Sequence, residues 1–256
     1  MFRQKSLYFI YARIKSVITA KIASIPERVH QLERTIGLFL EQVDIIEVYL
    51  NNYDNVPAFL QHENVHIFTS QEFGDRGDIG KFYQIEKASG YIFTLDDDLI
   101  YPTDYVTKLV DKIDIYNRSA FICAHANILP KRKISSYYKD KQGIHFAKQL
   151  AKDTPADIPG TGTLAFHSDN IKLNQTIFLT PNMSDIWLAI YAKQNNIPII
   201  SVSRSNLWIK QATGNAFEKS IYNAYNGNDG YQTNLVNKEL IQPERARGNE
   251  TNSVVS

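Results

Sequence analysis

Three consecutive carboxylates, Asp96, Asp97 and Asp98, close the apolar run "GYIFTL" at residues 90–95. Adjacent acids repel one another, so the cluster calls for a cation, basic side chains or solvent around it. Side chains alternate along an extended backbone, which sends Asp96 and Asp98 to one face and Asp97 to the other. Two converging hard oxygen donors without sulfur suit Mg²⁺ or Mn²⁺, ions that fill their shells with phosphate oxygens and water. A nucleoside diphosphate is then the natural bridging ligand. The triplet alone leaves a second reading open, an acidic loop that caps the next helix and faces water.

The stretch "GDRGDIGK" at residues 74–81 offers complementary chemistry. Its glycines permit close backbone approach, Arg76 and Lys81 can offset phosphate charge, and Asp78 can accept from a base or ribose. It lacks the G-x-x-x-x-G-K-[ST] ends of a Walker A loop. Asp185, in "NMSDIWLAI", sits where a general base or a helix-capping acid would fit equally well.

These residues need elements to hold them. Apolar strands alternate with amphipathic helices, which requires crossover connections and a mainly parallel α/β sheet with helices on both faces. A strand from Ser16 precedes a helix marked by Val29, Leu32, Ile36, Phe39 and Val43, with Pro26 in its first turn. Strands follow over 45–50, 64–70 and 91–95, the last two separated by a helix over 81–89. Next come a helix over 103–116 with Thr103 as N-cap and the strand "AFICAHA". Residues 130–160 read as a long polar loop with a short helix inside. The strand "TGTLAFHS", a helix from Ser184, the strand "IPIISVS" and a helix over 215–225 complete one domain, 1–240. It includes a basic leader at 1–15, and a polar, flexible tail (241–256) follows it. Ligands of such sheets bind beyond the carboxyl ends of the strands, so the loops after Ser24, Leu50, Ser70 and Leu95 share one rim.

Composition narrows the function classes. The chain has 256 residues, 43% of them hydrophobic, and 28 basic against 27 acidic side chains for a net charge of +1. That balance gives no field for nucleic acid as a partner. A lone cysteine, Cys123, excludes an internal disulfide and fits a cytoplasmic setting. No apolar stretch approaches the roughly 20 residues that span a bilayer, and no signal-peptide core is visible. The first 26 residues carry Arg3, Lys5, Arg13, Lys15 and Lys21 without an acid, interleaved with aromatics. They read as a segment packed on the domain, with contact at the inner face of the cell membrane as the alternative.

The ordered segments "AKIASIPERVHQLERTI", "IIEVYLNNYD", "GDIGKFYQIEKASGYIFTLDDDLIYP" and "MSDIWLAIYAKQNNIPI" resemble the signature of bacterial family 2-like glycosyltransferases of capsule and lipopolysaccharide synthesis. The block "ASGYIFTLDDDLIYP", with its D-x-D motif, is the most specific part. The resemblance implies a GT-A (Rossmann-like) nucleotide-sugar-binding fold. It also implies metal-dependent, inverting transfer of a hexose or N-acetylhexosamine from a UDP-sugar to a hydroxyl of a growing surface glycan. On that likeness Asp98 holds the divalent metal, Mn²⁺ or Mg²⁺, with Asp96 and Asp97 sharing it or meeting the ribose. Ser24, Ile25, Pro26 and Arg28 form the nucleotide loop. Asn51, Asn52 and Asp54 stand where the family keeps a base-contacting acid, although the local pattern departs from the usual one. Arg76, Asp78 and Lys81 precede a diphosphate-facing helix, and Asp185 matches the catalytic base. Gly160, Thr161 and Gly162 resemble a sugar-facing loop whose missing side chains leave room for a pyranose.

Aromatic faces stack on sugars, and Trp208 is the acceptor candidate, because Trp187 lies at core spacing from Ile190 and Tyr191. His167, ending a strand, is read as structural. Lys131, Arg132 and Lys133, ahead of Tyr137 and Tyr138, are candidates for an anionic glycan or lipid-linked acceptor. Two other functions compete: a nucleotidyltransferase, whose G-x-G-x-R-x-x-P loop "ASIPER" lacks, and a non-catalytic glycan-binding module.

Overall fold

The computed structural model describes residues 16–212 and 228–241. The leader at 1–15, the helix expected over 215–225 and the tail from 242 lie outside the described residues. Strands β1 (Ile18–Ser24), β2 (Ile45–Leu50), β3 (Val65–Thr69) and β4 (Tyr91–Asp96) are followed by the short β5 (Leu99–Ile100). Next come β6 (Phe121–Cys123), β7 (Ala126–Ile128), β8 (Gln142–Ile144) and β9 (Thr154–Ala156). The last are β10 (Ile158–Pro159), β11 (Thr163–His167), β12 (Ile199–Ser201) and β13 (Lys210–Gln211). The longer helices are α1 (Val29–Phe39), α2 (Tyr105–Ile115), α3 (Ser184–Gln194) and α4 (Gly230–Glu239).

Eight strands form one sheet in the order β3-β2-β1-β4-β11-β6-β12-β9. Strands β3, β2, β1, β4, β6 and β12 run one way; β11 and β9 oppose their neighbours. The mixed α/β architecture with a mainly parallel sheet and flanking helices is thus present, compatible with a Rossmann-like fold. Burial on both faces explains the near-continuous apolar strands. Along β4, Phe93 packs with Leu32, Ile36 and Leu109 from α1 and α2, whereas Ile92 packs with Ile186, Trp187 and Ile190 from α3.

Several local expectations change. The helix over 81–89 is replaced by 3₁₀ turns at Gly77–Phe82 and Ile85–Lys87, separated by Gln84 in the left-handed region at φ 52°. Three successive side chains there go to different neighbours: Lys81 to Asp96, Phe82 to a stack on Phe178 at 4.1 Å, and Tyr83 to Tyr49 at 5.4 Å. A helix with a single apolar stripe cannot serve all three. Helix α1 stops at Phe39, and Pro26 sits in a preceding 3₁₀ turn, Pro26–Arg28. Helix α2 takes Asp104, not Thr103, as its N-cap. "AFICAHA" breaks at Ala124 and His125, so that β7 joins β10 and β8 in a second sheet. Residues 130–160 are more ordered than a loop, holding a helical turn, Tyr137–Asp140, with β8, β9 and β10.

Lys21 is no surface cation but a 1% exposed strand residue ion-paired with Glu47. Ile241, placed at the head of the tail, is buried in the second core cluster. Helix α4 escaped the sequence reading because polar contacts hold it. Asn237 exchanges bonds with the backbone of Ile134 at 2.9 Å, and Thr233 accepts from Tyr137 N at 2.9 Å. Among the described residues no helix is long and apolar enough to cross a membrane.

Candidate functional site

Parallel strands β1, β2, β3 and β4 end on one rim. Because β11 runs the other way, the loop that precedes it, Gly160–Gly162, arrives at the same rim, and His125 joins from the break after β6. A cleft of about 310 Å³ opens there. Asp96, Asp98, Asp78 and Asp185 line it, together with Lys81 and Lys141.

The aspartate triplet divides. Strand β4 ends at Asp96, the next two residues turn, and Asp96 and Asp98 both face the cleft. Asp97 is 1% exposed and points into the protein, accepting from Ser24 Oγ at 2.6 Å and Arg28 Nη1 at 3.0 Å. Burial pushes Asp97 up to about 6 despite Arg28. Asp97 and Ser24, both expected at the nucleotide, therefore hold the rim from beneath. Arg28 bridges the two roles, since Nη1 also lies 3.3 Å from Asp98 Oδ2. The Asp98 carbonyl accepts from Ala212 N at 2.9 Å and Gln211 Nε2 at 3.0 Å, fixing the turn. Burial, with Asp96 nearby, raises the Asp98 carboxyl above its ordinary range.

Lys81 is 4% exposed, ion-pairs with Asp96 and lines the cleft, so it is buried rather than solvated. Burial alone would raise Asp96, but Lys81 and Arg28 outweigh it and hold the carboxyl low. Tyr101, overlooked in the sequence, donates to the Gly162 carbonyl at 2.6 Å and accepts from Asp96 N at 2.8 Å. The glycines serve a purpose other than the one expected. A Cβ at Gly162 would lie 1.9 Å from Asp96 Oδ2, and one at Gly160 would lie 2.8 Å from His125. They make room for those two side chains, and both glycines line the cleft.

Asp185 lies in the first turn of α3 and accepts from Thr161 N at 2.8 Å and Thr161 Oγ1 at 2.7 Å. Burial raises its proton affinity. Asp78 accepts from Asn182 N at 2.5 Å, from Ser184 N at 3.0 Å and from the Ser184 hydroxyl. The expected base or ribose acceptor is thus the group that caps α3, and burial raises it too. His125 lines the cleft, and burial pushes its imidazole down to about 4, which keeps it neutral. Its signal in the sequence was a lone polar residue inside an apolar run.

Other expected residues lie outside the cleft lining. Asn51 is buried and braces the 74–81 loop, donating to the Gly77 carbonyl and accepting from Arg76 N, both at 3.0 Å. Asn52 donates to Asp75 at 2.8 Å. Asp54 is exposed beyond β2, and Pro26 is exposed in its turn. The Ile25 carbonyl accepts from Tyr53 Oη at 2.9 Å. The Arg76 guanidinium lies over the Tyr83 ring at 4.8 Å. Trp208 does not line the cleft: it packs on Tyr105 at 5.6 Å and donates to Asp104 Oδ1 at 2.9 Å. Lys131, Arg132 and Lys133 are exposed, and Lys131 borders a separate groove with Asp157 and Lys193. The same segment reaches the cleft instead through Tyr137, Tyr138 and Lys141. Trp187 is core, and His167 is buried beside Tyr91 at the far end of β11.

No protein-family model matches this chain, and none of the curated proteins does. Among the described residues no group of three or more His, Cys, Asp and Glu gathers to hold a metal. Two cleft-facing carboxylates with hard oxygens nevertheless fit Mg²⁺ or Mn²⁺ that takes the rest of its shell from ligand oxygens and water.

Proposed function

We propose that this protein is a metal-dependent, inverting glycosyltransferase with a GT-A-type sheet, transferring a hexose or N-acetylhexosamine from a UDP-sugar to a hydroxyl of a bacterial surface glycan. One observation carries the reading. Asp96 and Asp98 enter the same cleft as Asp185, at the carboxyl rim of the sheet, while Asp97 between them is spent on Arg28.

Asp98 and Asp96 would hold the ion, which neutralises the diphosphate when bound. Lys81, already against Asp96, supplies a positive charge beside the leaving group. Asp185 takes the proton from the acceptor hydroxyl as its oxygen bonds to the anomeric carbon and the bond to the diphosphate breaks. Burial supports that role, because a base with raised proton affinity accepts a proton more readily near neutrality. The two Thr161 bonds fix the carboxylate's orientation.

The test is calorimetric binding of UDP with Mn²⁺, followed by transfer from a panel of nucleotide sugars. Asp98→Asn should abolish metal-supported UDP binding. Asp185→Asn should bind UDP normally and fail to transfer. UDP binding that ignores EDTA, or normal transfer by Asp185→Asn, would sink the reading.

A further inference from the structure

The cleft has a second half that the donor chemistry does not use. Tyr137, Tyr138 and Lys141 line the same cleft as Asp96 and Asp98. The Lys141 ammonium lies 3.9 Å from the Tyr137 ring centroid and 5.1 Å from that of Tyr138. Among the described residues no carboxylate lies within ion-pair distance of it. Asp185, in the same cleft, is near enough to feel both Lys141 and Asp96.

We infer that Tyr137, Tyr138 and Lys141 form the acceptor subsite and select a glycoside that carries a negative charge. This rests on the glycosyltransferase reading. Tyr138, half-buried at the cleft wall and backed by the 4% exposed Tyr137, offers an aromatic surface for a pyranose, and the ammonium beside it offers a charge-assisted hydrogen bond to a carboxylate or phosphate. Burial draws the Lys141 ammonium down to about 8 in spite of Asp185 and Asp229, so it remains mostly charged at neutral pH yet undercompensated. An anionic ligand supplies the missing compensation. The wall is built for rigidity. Asp229 accepts from Ser136 Oγ at 2.6 Å and Tyr138 N at 3.0 Å, and Thr233 from Tyr137 N at 2.9 Å.

Three probes test the inference with the full chain: p-nitrophenyl β-glucuronide, p-nitrophenyl β-glucoside 6-phosphate and the neutral p-nitrophenyl β-glucoside, titrated calorimetrically. The wild type should prefer at least one anionic probe by about tenfold, the size of one charge-assisted hydrogen bond. The preferred probe tells a uronate from a phosphate acceptor. Lys141→Gln should erase the preference, Lys141→Arg should keep most of it, and UDP–Mn²⁺ affinity should stay the same in both. Equal affinity for charged and neutral probes, a preference that survives Lys141→Gln, or no glycoside binding overturns the inference. Failure of UDP–Mn²⁺ binding with the anionic preference intact would instead remove the nucleotide-sugar reading and leave the anionic subsite standing.

Discussion

Gly162 and Asp96 occupy the rim as a fitted pair: a Cβ on residue 162 would lie 1.9 Å from Asp96 Oδ2. Gly162→Ala should therefore displace Asp96 from Lys81 or push out the 160–162 loop, at a cost of about 1–3 kcal/mol. The expected result is a lower urea midpoint together with lost UDP–Mn²⁺ binding, while far-ultraviolet circular dichroism stays native.

Neighbouring aspartates should behave as opposites. Asp97→Ala leaves Arg28 and Ser24 without their buried acceptor and should cost about 3 kcal/mol in urea unfolding. Asp98→Asn should cost under about 1 kcal/mol, because its side chain is partly exposed and Arg28 keeps Asp97. Equal destabilisation by the two variants would contradict the division of the triplet.

His125 should make the fold acid-sensitive. Its imidazole takes a proton near pH 6.5 when unfolded but only near pH 4 when folded. Between those values the unfolded chain binds more protons, so stability rises with pH through the window and is lost as pH falls from 6.5 to 4, by on the order of 3 kcal/mol. Stability curves measured across that range should be flatter for His125→Gln than for wild type.

Trp208→Ala should lower stability, since the indole packs on Tyr105 and donates to Asp104, yet leave glycoside affinity unchanged. The double variant Lys131→Gln/Arg132→Gln should be neutral in both assays, as these side chains are exposed away from the cleft. A glycoside affinity that falls in either variant would move the acceptor end of the site.

Asp229→Ala should loosen the acceptor wall. Hydrogen exchange is expected to speed up at the Tyr138 amide, and the affinity for the preferred anionic glycoside should fall several-fold, while UDP–Mn²⁺ binding holds.

What the sequence disclosed and what it hid follow one rule. Signals that repeat along the chain were legible: the apolar strands β1 to β4, the stripe of α1, and Ser184 at the start of α3. That Asp96 and Asp98 share a face was legible too, although a turn after β4, not strand alternation, brings Asp98 there. Partners far apart in sequence were not legible. Nothing near Lys81 announces that it is buried against Asp96, and nothing near Asp78 shows that it caps a helix 106 residues away at Ser184. Gly160 and Gly162 advertised an absence of side chains without telling what would fill the space. Helix α4 carries few apolar positions and is held by Asn237 and Thr233, so periodicity could not reveal it.

The backbone amide of Ile134 waits for Asn237, 103 residues later, and those of Tyr137 and Tyr138 wait for Thr233 and Asp229. The Asp96–Lys81 end of the cleft makes its ion pair without any residue of α4. The Tyr137–Tyr138 wall, by contrast, depends on α4 and the residue before it for three backbone hydrogen bonds. Removing α4 and the residue before it would thus leave the Asp96–Lys81 rim its own contacts and strip the Tyr137–Tyr138 wall of the acceptors that hold its backbone.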